Sequence, residues 1–214
     1  MTTRMKAVLI TAAVAIIVVI AVVIVVLATR PSTSGSADAS ASAENSHVLD
    51  DAGPDAPVLV EFLDFECESC GALFPIVEQL RSDYAGEITY VVRYFPLPGH
   101  VNSMNAAVAA EAAAQQGEFE AMYRHLFETQ AEWGEQRESQ PEIFRAFAEE
   151  LGLDMAAFDA AVADPATQER VEQDFTDGQA LGVTSTPTFF WEGKKLELTA
   201  RSDLTGALDD AIAR

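Results

Sequence analysis

The sequence predicts an α/β fold in which a small sheet is interrupted by a long helical insertion. Three observations predict it. A strand–helix–strand unit spans Val58 to Phe95, residues 102–181 read almost entirely as helix, and strand character returns at Thr188–Trp191 before a last helix.

Val58–Phe65 is a nearly continuous apolar run, as suits a central strand covered on both faces. Gly71–Tyr84 has Leu73, Phe74, Val77 and Leu80 on one side and reads as a helix, with Pro75 expected to kink it. Glu87–Phe95 is rich in β-branched and aromatic residues and forms the second strand. The helical block then runs through Asn102–Gln116, Glu118–Gln130, Pro141–Leu151, a segment capped by Asp154, and one opened by Pro165 that ends near Leu181. Thr188–Trp191, a turn at Glu192–Lys195 and Leu196–Leu198 predict a hairpin, and Leu204–Ala213 closes the chain as a helix.

Upstream, Ala7–Ala28 is an uncharged run of Val, Ile, Ala and Leu, about 33 Å long as a helix and therefore matched to a bilayer core. Arg4 and Lys6 precede it, which orients residues 1–6 to the cytoplasm and the remainder outside. A cleaved signal peptide is the competing reading, but its apolar region would be shorter and its small-residue cleavage site closer. Residues 29–53, rich in Ser, Ala, Asp and Gly, read as a flexible tether, and the folded domain is expected over residues 54–214.

Composition limits the function. Arg4, Lys6 and Arg30 are the only charges in residues 1–30, so the rest carries 10 basic and 34 acidic side chains. Such a surface repels phosphate and argues against nucleic-acid binding. The chain has two cysteines and three scattered histidines, without zinc-ligand spacing. No metal or other cofactor is expected.

The cysteines, Cys67 and Cys70, are two residues apart where a strand hands over to a helix. One such pair closes too small a loop to stabilise a fold greatly, so reversible redox use is the stronger reading. The helix N-terminus favours thiolate at Cys67, and Cys70 would be the buried partner. Glu61, in the apolar strand, is either a buried carboxylate that moves a proton to and from Cys70 or a solvent-facing acid at a strand end. In Thr186-Pro187, proline lacks an N–H just before a strand; if its bond is cis, the Thr186 backbone is free to pair with an extended substrate.

Phe62-Leu-Asp-Phe-Glu-Cys-Glu-Ser-Cys70, Arg93-Tyr-Phe-Pro-Leu97 followed by His100, and Gly182-Val-Thr-Ser-Thr-Pro-Thr-Phe-Phe190 together resemble the DsbA-like branch of the thioredoxin superfamily. The resemblance covers about residues 54–214. It implies a thioredoxin fold with a helical insertion, a cis Pro187, Cys67 and Cys70 as a redox pair, and Glu61 as the buried acid. It further implies thiol–disulfide exchange with secreted or exported proteins that carry cysteines. A membrane quinone-linked partner, of the DsbB or vitamin K epoxide reductase type, would reset the disulfide. Disulfide formation is favoured; reduction or isomerisation, or a non-catalytic binding or chaperone role, are the alternatives. The chain departs from the family pattern at Glu68 and Ser69, between the cysteines. With Asp64 and Glu66 also near, local acids are expected to raise the Cys67 pKa and make the pair a milder oxidant.

Overall fold

The computed structural model of the protein describes residues 40–198 and 203–212. The run at 7–28 and residues 29–39 of the region assigned to the tether lie outside the described residues. Among the described residues, no helix is long and apolar enough to cross a membrane.

A five-stranded mixed sheet has the order β1-β3-β2-β4-β5, formed by β1 (His47–Asp50), β2 (Val58–Leu63), β3 (Thr89–Tyr94), β4 (Thr188–Trp191) and β5 (Lys194–Lys195). The parallel pair β2–β3, in register from Val58↔Thr89 to Leu63↔Tyr94, is joined by α1 (Glu68–Asp83). β4 pairs antiparallel with β2, from Leu59↔Trp191 to Phe62↔Thr188.

Between β3 and β4 stand α2 (Ser103–Ala114), α3 (Phe119–Glu128), α4 (Gln130–Trp133), α5 (Pro141–Glu150), α6 (Met155–Ala163) and α7 (Pro165–Ala180). The final helix, α8, is Asp203–Ile212. The predicted cap is present, the Asp154 carboxylate accepting from the amides of Ala156 and Ala157 at 2.9 and 3.0 Å; ahead of Pro165, Asp164 caps the next helix by accepting from Ala166. α1 begins inside the Cys-x-x-Cys segment, three residues before its predicted start, and runs without interruption across Pro75.

Side chains alternate across the sheet, and this positions the site. Leu59 and Leu63 of β2 and Tyr90, Val92 and Tyr94 of β3 face the main core beneath α1 and the helical block. Glu61 shares their parity and so projects to the side that carries the cysteines. Val60, Phe62, Val91 and Phe95 face a second core under α7. There α7 approaches so closely that a Cβ on Gly178 would lie 2.7 Å from the Phe95 ring.

Arg93 and Asp174, both fully buried, fasten α7 to that face at 2.5 Å, and Arg93 also donates to the Ser40 carbonyl at 3.0 Å. Removing the cation alone would leave the buried Asp174 carboxylate with only Arg170, at 2.7 Å, and the Tyr94 amide, and would break the Arg93–Asp177 ion pair. Arg93→Met is therefore expected to cost about 3 kcal/mol in denaturant melts, with most of the loss recovered in Arg93→Met/Asp174→Leu.

Two boundaries are corrected. Within residues 29–53, His47–Asp50 forms edge strand β1, held by His47 stacking on Phe119 at 3.8 Å and bonding Glu111 at 2.9 Å. The hairpin turn is Glu192-Gly193 alone, both with positive φ (48° and 74°), as a two-residue hairpin turn requires. Its second strand is thus Lys194–Lys195 instead of Leu196–Leu198. Two lysines at a sheet edge discourage pairing with another chain.

Candidate functional site

The site lies where β2 ends. Cys67 is the N-cap of α1, in an extended conformation (φ −67°, ψ 118°), and both cysteines are free thiols. Because the first helical amides have no intrahelical acceptor, those of Ser69 and Cys70 turn back towards the Cys67 sulfur. Cys67 keeps 7% exposure and Cys70 only 1%. Both cysteines are buried, Cys70 the more completely.

Four sets of donors favour ionised Cys67. The Cys70 thiol contributes most; the Thr186 side chain and the amides of Cys70 and Ser69 add to it. Burial opposes them, and the balance brings the Cys67 pKa down to about 5 from an ordinary 9.0. Burial is the main cause that pushes the Cys70 thiol well up, reinforced by its bond to Cys67 and the negative charges of Cys67 and Glu61. The pair is thus polarised into a stabilised thiolate and a more deeply buried thiol.

This corrects the expectation that neighbouring acids hold Cys67 up. Asp64 and Glu66 are buried and spend their oxygens on other groups. Asp64 accepts from the amides of Glu66 and Leu97 at 2.9 and 3.0 Å and pairs with His100 Nδ1 at 2.6 Å. Glu66 accepts from the Asn102 amide at 2.5 Å. Burial lowers the His100 pKa, but its bond to Asp64 outweighs that and holds it above the ordinary value.

Glu61 is 3% exposed, which answers the open question of its orientation. Tyr90 of β3, fully buried, donates its hydroxyl to Glu61 Oε2. Burial raises the Glu61 pKa from 4.5 to about 7, against the lowering effect of Tyr90. The Glu61 charge favours the neutral form of Cys70, while the charges of Glu78 and Cys67 favour the neutral form of Glu61.

The Thr186–Pro187 bond is cis. Thr186 lies just beyond the β2–β4 ladder, and the Cys67 thiol donates to its carbonyl at 3.4 Å. Thr186 Oγ1 is buried with no conventional partner among the described residues, and it can donate to the sulfur once that is ionised. Thr186→Val keeps the shape and removes this donor. It is expected to raise the Cys67 pKa by about one unit, read from alkylation rate against pH.

Cys67, Cys70, Glu61, Thr186 and Pro187 thus meet at one end of the sheet. Chemically, the arrangement can stabilise a thiolate at Cys67, keep a proton near Cys70 and exchange sulfur partners. Among the described residues there is no cluster of three or more His, Cys, Asp or Glu able to hold a metal ion. Sequence reasoning missed three contributors. Asp64 ties the active-site turn to Leu97 and His100, Tyr90 holds Glu61, and Gln130 donates to the carbonyls of Phe65 and Cys67 at 2.6 and 2.9 Å. Asp64 could have been suspected as a turn acid directly after a strand; Tyr90 and Gln130 carry no local signal.

The sequence model of a family described as Thioredoxin matches residues 52–210. The chain belongs to the thioredoxin family. Its thioredoxin domain is similar to part of Na(+)/H(+) antiporter NhaA 1 of Mycobacterium sp. (strain KMS), 39% identical over 158 residues, 71% of this chain and 24% of that protein. It is likewise similar to part of the antiporter NhaA of Herminiimonas arsenicoxydans, 40% identical over 138 residues, 64% and 21% of the respective chains. The chain spans about a quarter of the length of the curated relatives it matches. Among solved structures, a thioredoxin-like oxidoreductase from Silicibacter pomeroyi DSS-3 superposes with a TM-score of 0.66 at 28% identity, over 83% of this chain and 98% of that one. Oxidised BdbD of Bacillus subtilis has the same fold, with a TM-score of 0.66 at 21% identity over 78% and 92%. The resemblance to DsbA-like members of the thioredoxin superfamily, read in the sequence, agrees with these matches.

Proposed function

We propose that this protein is a membrane-anchored, extracytoplasmic thiol–disulfide oxidoreductase that makes disulfides in exported client proteins. The observation that carries the reading is the division of labour in the cysteine pair: Cys67, the less deeply buried, has its thiolate stabilised by surrounding donors, and Cys70, sealed at 1% exposure, has its thiol favoured.

In the oxidised enzyme, a client thiolate attacks Cys67 Sγ, the Cys67–Cys70 bond breaks, and Cys70 leaves as a thiolate. Glu61, in its neutral form, gives that sulfur its proton. A second client thiolate attacks the client sulfur of the mixed disulfide, and Cys67 departs as the thiolate that the helix amides and Thr186 stabilise. The client loses two electrons and the pair gains them. Thr186 is next to Cys67 and outside the ladder, which supports a role for its backbone in holding an extended client segment, with Pro187 shaping that edge.

The apolar run at 7–28, with basic residues before it, supports the anchor and an outside location, where oxidation is sustained. Turnover requires a membrane redox partner, of the quinone-linked class, to take the two electrons away. The test is to mix the oxidised protein with a reduced, unfolded client and follow client disulfides and recovered activity. Stoichiometric oxidation by the isolated protein, and catalysis once an oxidant is supplied, is the expected result. Insulin reduction without client oxidation would instead make it a reductase, and neither reaction would leave a binding role.

A further inference from the structure

Helix α4 is a short piece of the insertion with no obvious purpose in the sheet. Its first residue, Gln130, reaches across to the active-site turn. The Gln130 amide nitrogen donates to the Phe65 carbonyl at 2.6 Å and the Cys67 carbonyl at 2.9 Å, while Cys67 O also accepts from the Gly71 amide at 3.0 Å. Both hydrogens of one side-chain amide are therefore used on the two carbonyls that flank Glu66.

Two glycines on different elements are shaped around this residue. A Cβ on Gly71, directly after Cys70, would lie 2.0 Å from Gln130 Oε1, and one on Gly134 would lie 2.9 Å from the Gln130 carbonyl. Neither is explained by backbone conformation, because neither has positive φ. The base of α4 is fixed in turn: Trp133 is fully buried with its indole donating to Leu126 O at 3.2 Å, and Asn102 donates to Trp133 O at 3.3 Å.

We infer that Gln130 is a positioning residue for the redox pair: it clamps the turn Phe65–Cys67, so that the amides of Ser69 and Cys70 stay aimed at the Cys67 sulfur, and Gly71 is glycine to make room for it. The helical insertion thereby helps set the acidity of Cys67 through the backbone of the turn that carries it. A carbonyl pinned from two sides fixes the peptide plane that follows it, and that plane begins the helix. Without the clamp, the turn relaxes and the thiolate loses part of its donor set. This rests on Cys67 being the reacting sulfur, as in the function proposed above.

The test measures Cys67 alkylation by iodoacetamide against pH in the full-length reduced protein, with peptide mapping to separate it from Cys70. Gln130→Met has nearly the same length and no donors. It is expected to raise the Cys67 pKa by about one unit, so that the rate at pH 5 falls about fivefold. Gly71→Ala, which forces the Gln130 side chain away, is expected to give the same shift, and Gly71→Ala/Gln130→Met no further shift. Gly71→Ala should also be better tolerated in melting temperature in the Gln130→Met background than in the wild type, since alanine then gains helix propensity without displacing the amide. A wild-type profile in Gln130→Met would reduce Gln130 to a space-filler and overturn the inference, as would additive shifts in the double variant. A wild-type Cys67 with an ordinary thiol pKa would instead defeat the reading of the site itself.

Discussion

Cys67→Ala is expected to fold normally and to have no detectable thiol–disulfide exchange, whereas Cys70→Ala should stop halfway and accumulate a mixed disulfide with its client. The two differ because the sulfurs occupy different environments. Cys67 is the more exposed of the two cysteines, 7% against 1%, and its pKa is brought to about 5. Without it, the buried Cys70 offers an attacking client nothing it can reach. Without Cys70, the Cys67 thiolate can still attack a disulfide carried by the client, joining one sulfur and releasing the other, but no internal thiol is left to free the joined client. Non-reducing electrophoresis reads both outcomes with a client whose single cysteine is held as a mixed disulfide with glutathione: the Cys67 thiolate attacks the client sulfur, glutathione leaves as the thiolate, and the client stays joined to Cys67. Alanine at either position removes a small side chain from the main core, so circular dichroism should show the native spectrum. Equal activity of Cys67→Ala and wild type would remove the basis for the site.

Glu61→Gln is expected to have two opposite effects. Exchange should slow by about 10²-fold below pH 7, the scale on which a positioned proton donor acts. The inflection near pH 7 in the rate profile should vanish with it, because the carboxyl held at about 7 is the group that titrates there. Stability should move the other way. A carboxyl whose folded pKa is raised from 4.5 to about 7 binds its proton more tightly in the folded state, so its contribution is full below pH 4.5 and lost as pH rises to 7. Glutamine is free of that loss. At pH 8, in the oxidised protein, where Cys67 does not titrate, the variant should be more stable by up to about 3 kcal/mol; at pH 4 the difference should disappear. Urea melts at the two pH values measure it. A variant with unchanged rate and no pH-dependent gain in stability would leave Glu61 without a proton to move.

Much of this architecture is legible in the sequence because it is written in local chemistry. Asp154 by capping and Pro165 at a first helical position mark helix starts, and the cysteine spacing at a strand–helix junction marks the redox pair. Glu61 is less legible for a definite reason. In a strand apolar on both faces, parity does not say which face is which, and only the placement of α1 shows that Glu61 lies on the cysteine side. β1 escapes notice because it has four residues, one of them the exposed Val48, and its hydrogen-bonding partner is far along the chain. The acids at 64 and 66 mislead for the same reason in reverse. They are close to Cys67 in sequence, yet their oxygens are directed at Leu97, His100 and Asn102, which only the folded chain brings near.

What these contacts do to the sulfur has a direct thermodynamic consequence. Stabilising the Cys67 thiolate stabilises the reduced pair, and a stabilised dithiol makes the disulfide a stronger oxidant. With a pKa of about 5, Cys67 falls between thioredoxin, near 7 and about −270 mV, and DsbA, near 3.5 and about −120 mV. The decisive measurement is the equilibrium potential of the Cys67–Cys70 pair against glutathione at pH 7. An oxidising value, about −220 to −160 mV, is predicted. A value at or below about −270 mV would contradict it, because the surroundings of Cys67 would then be doing nothing to favour the open, electron-rich form.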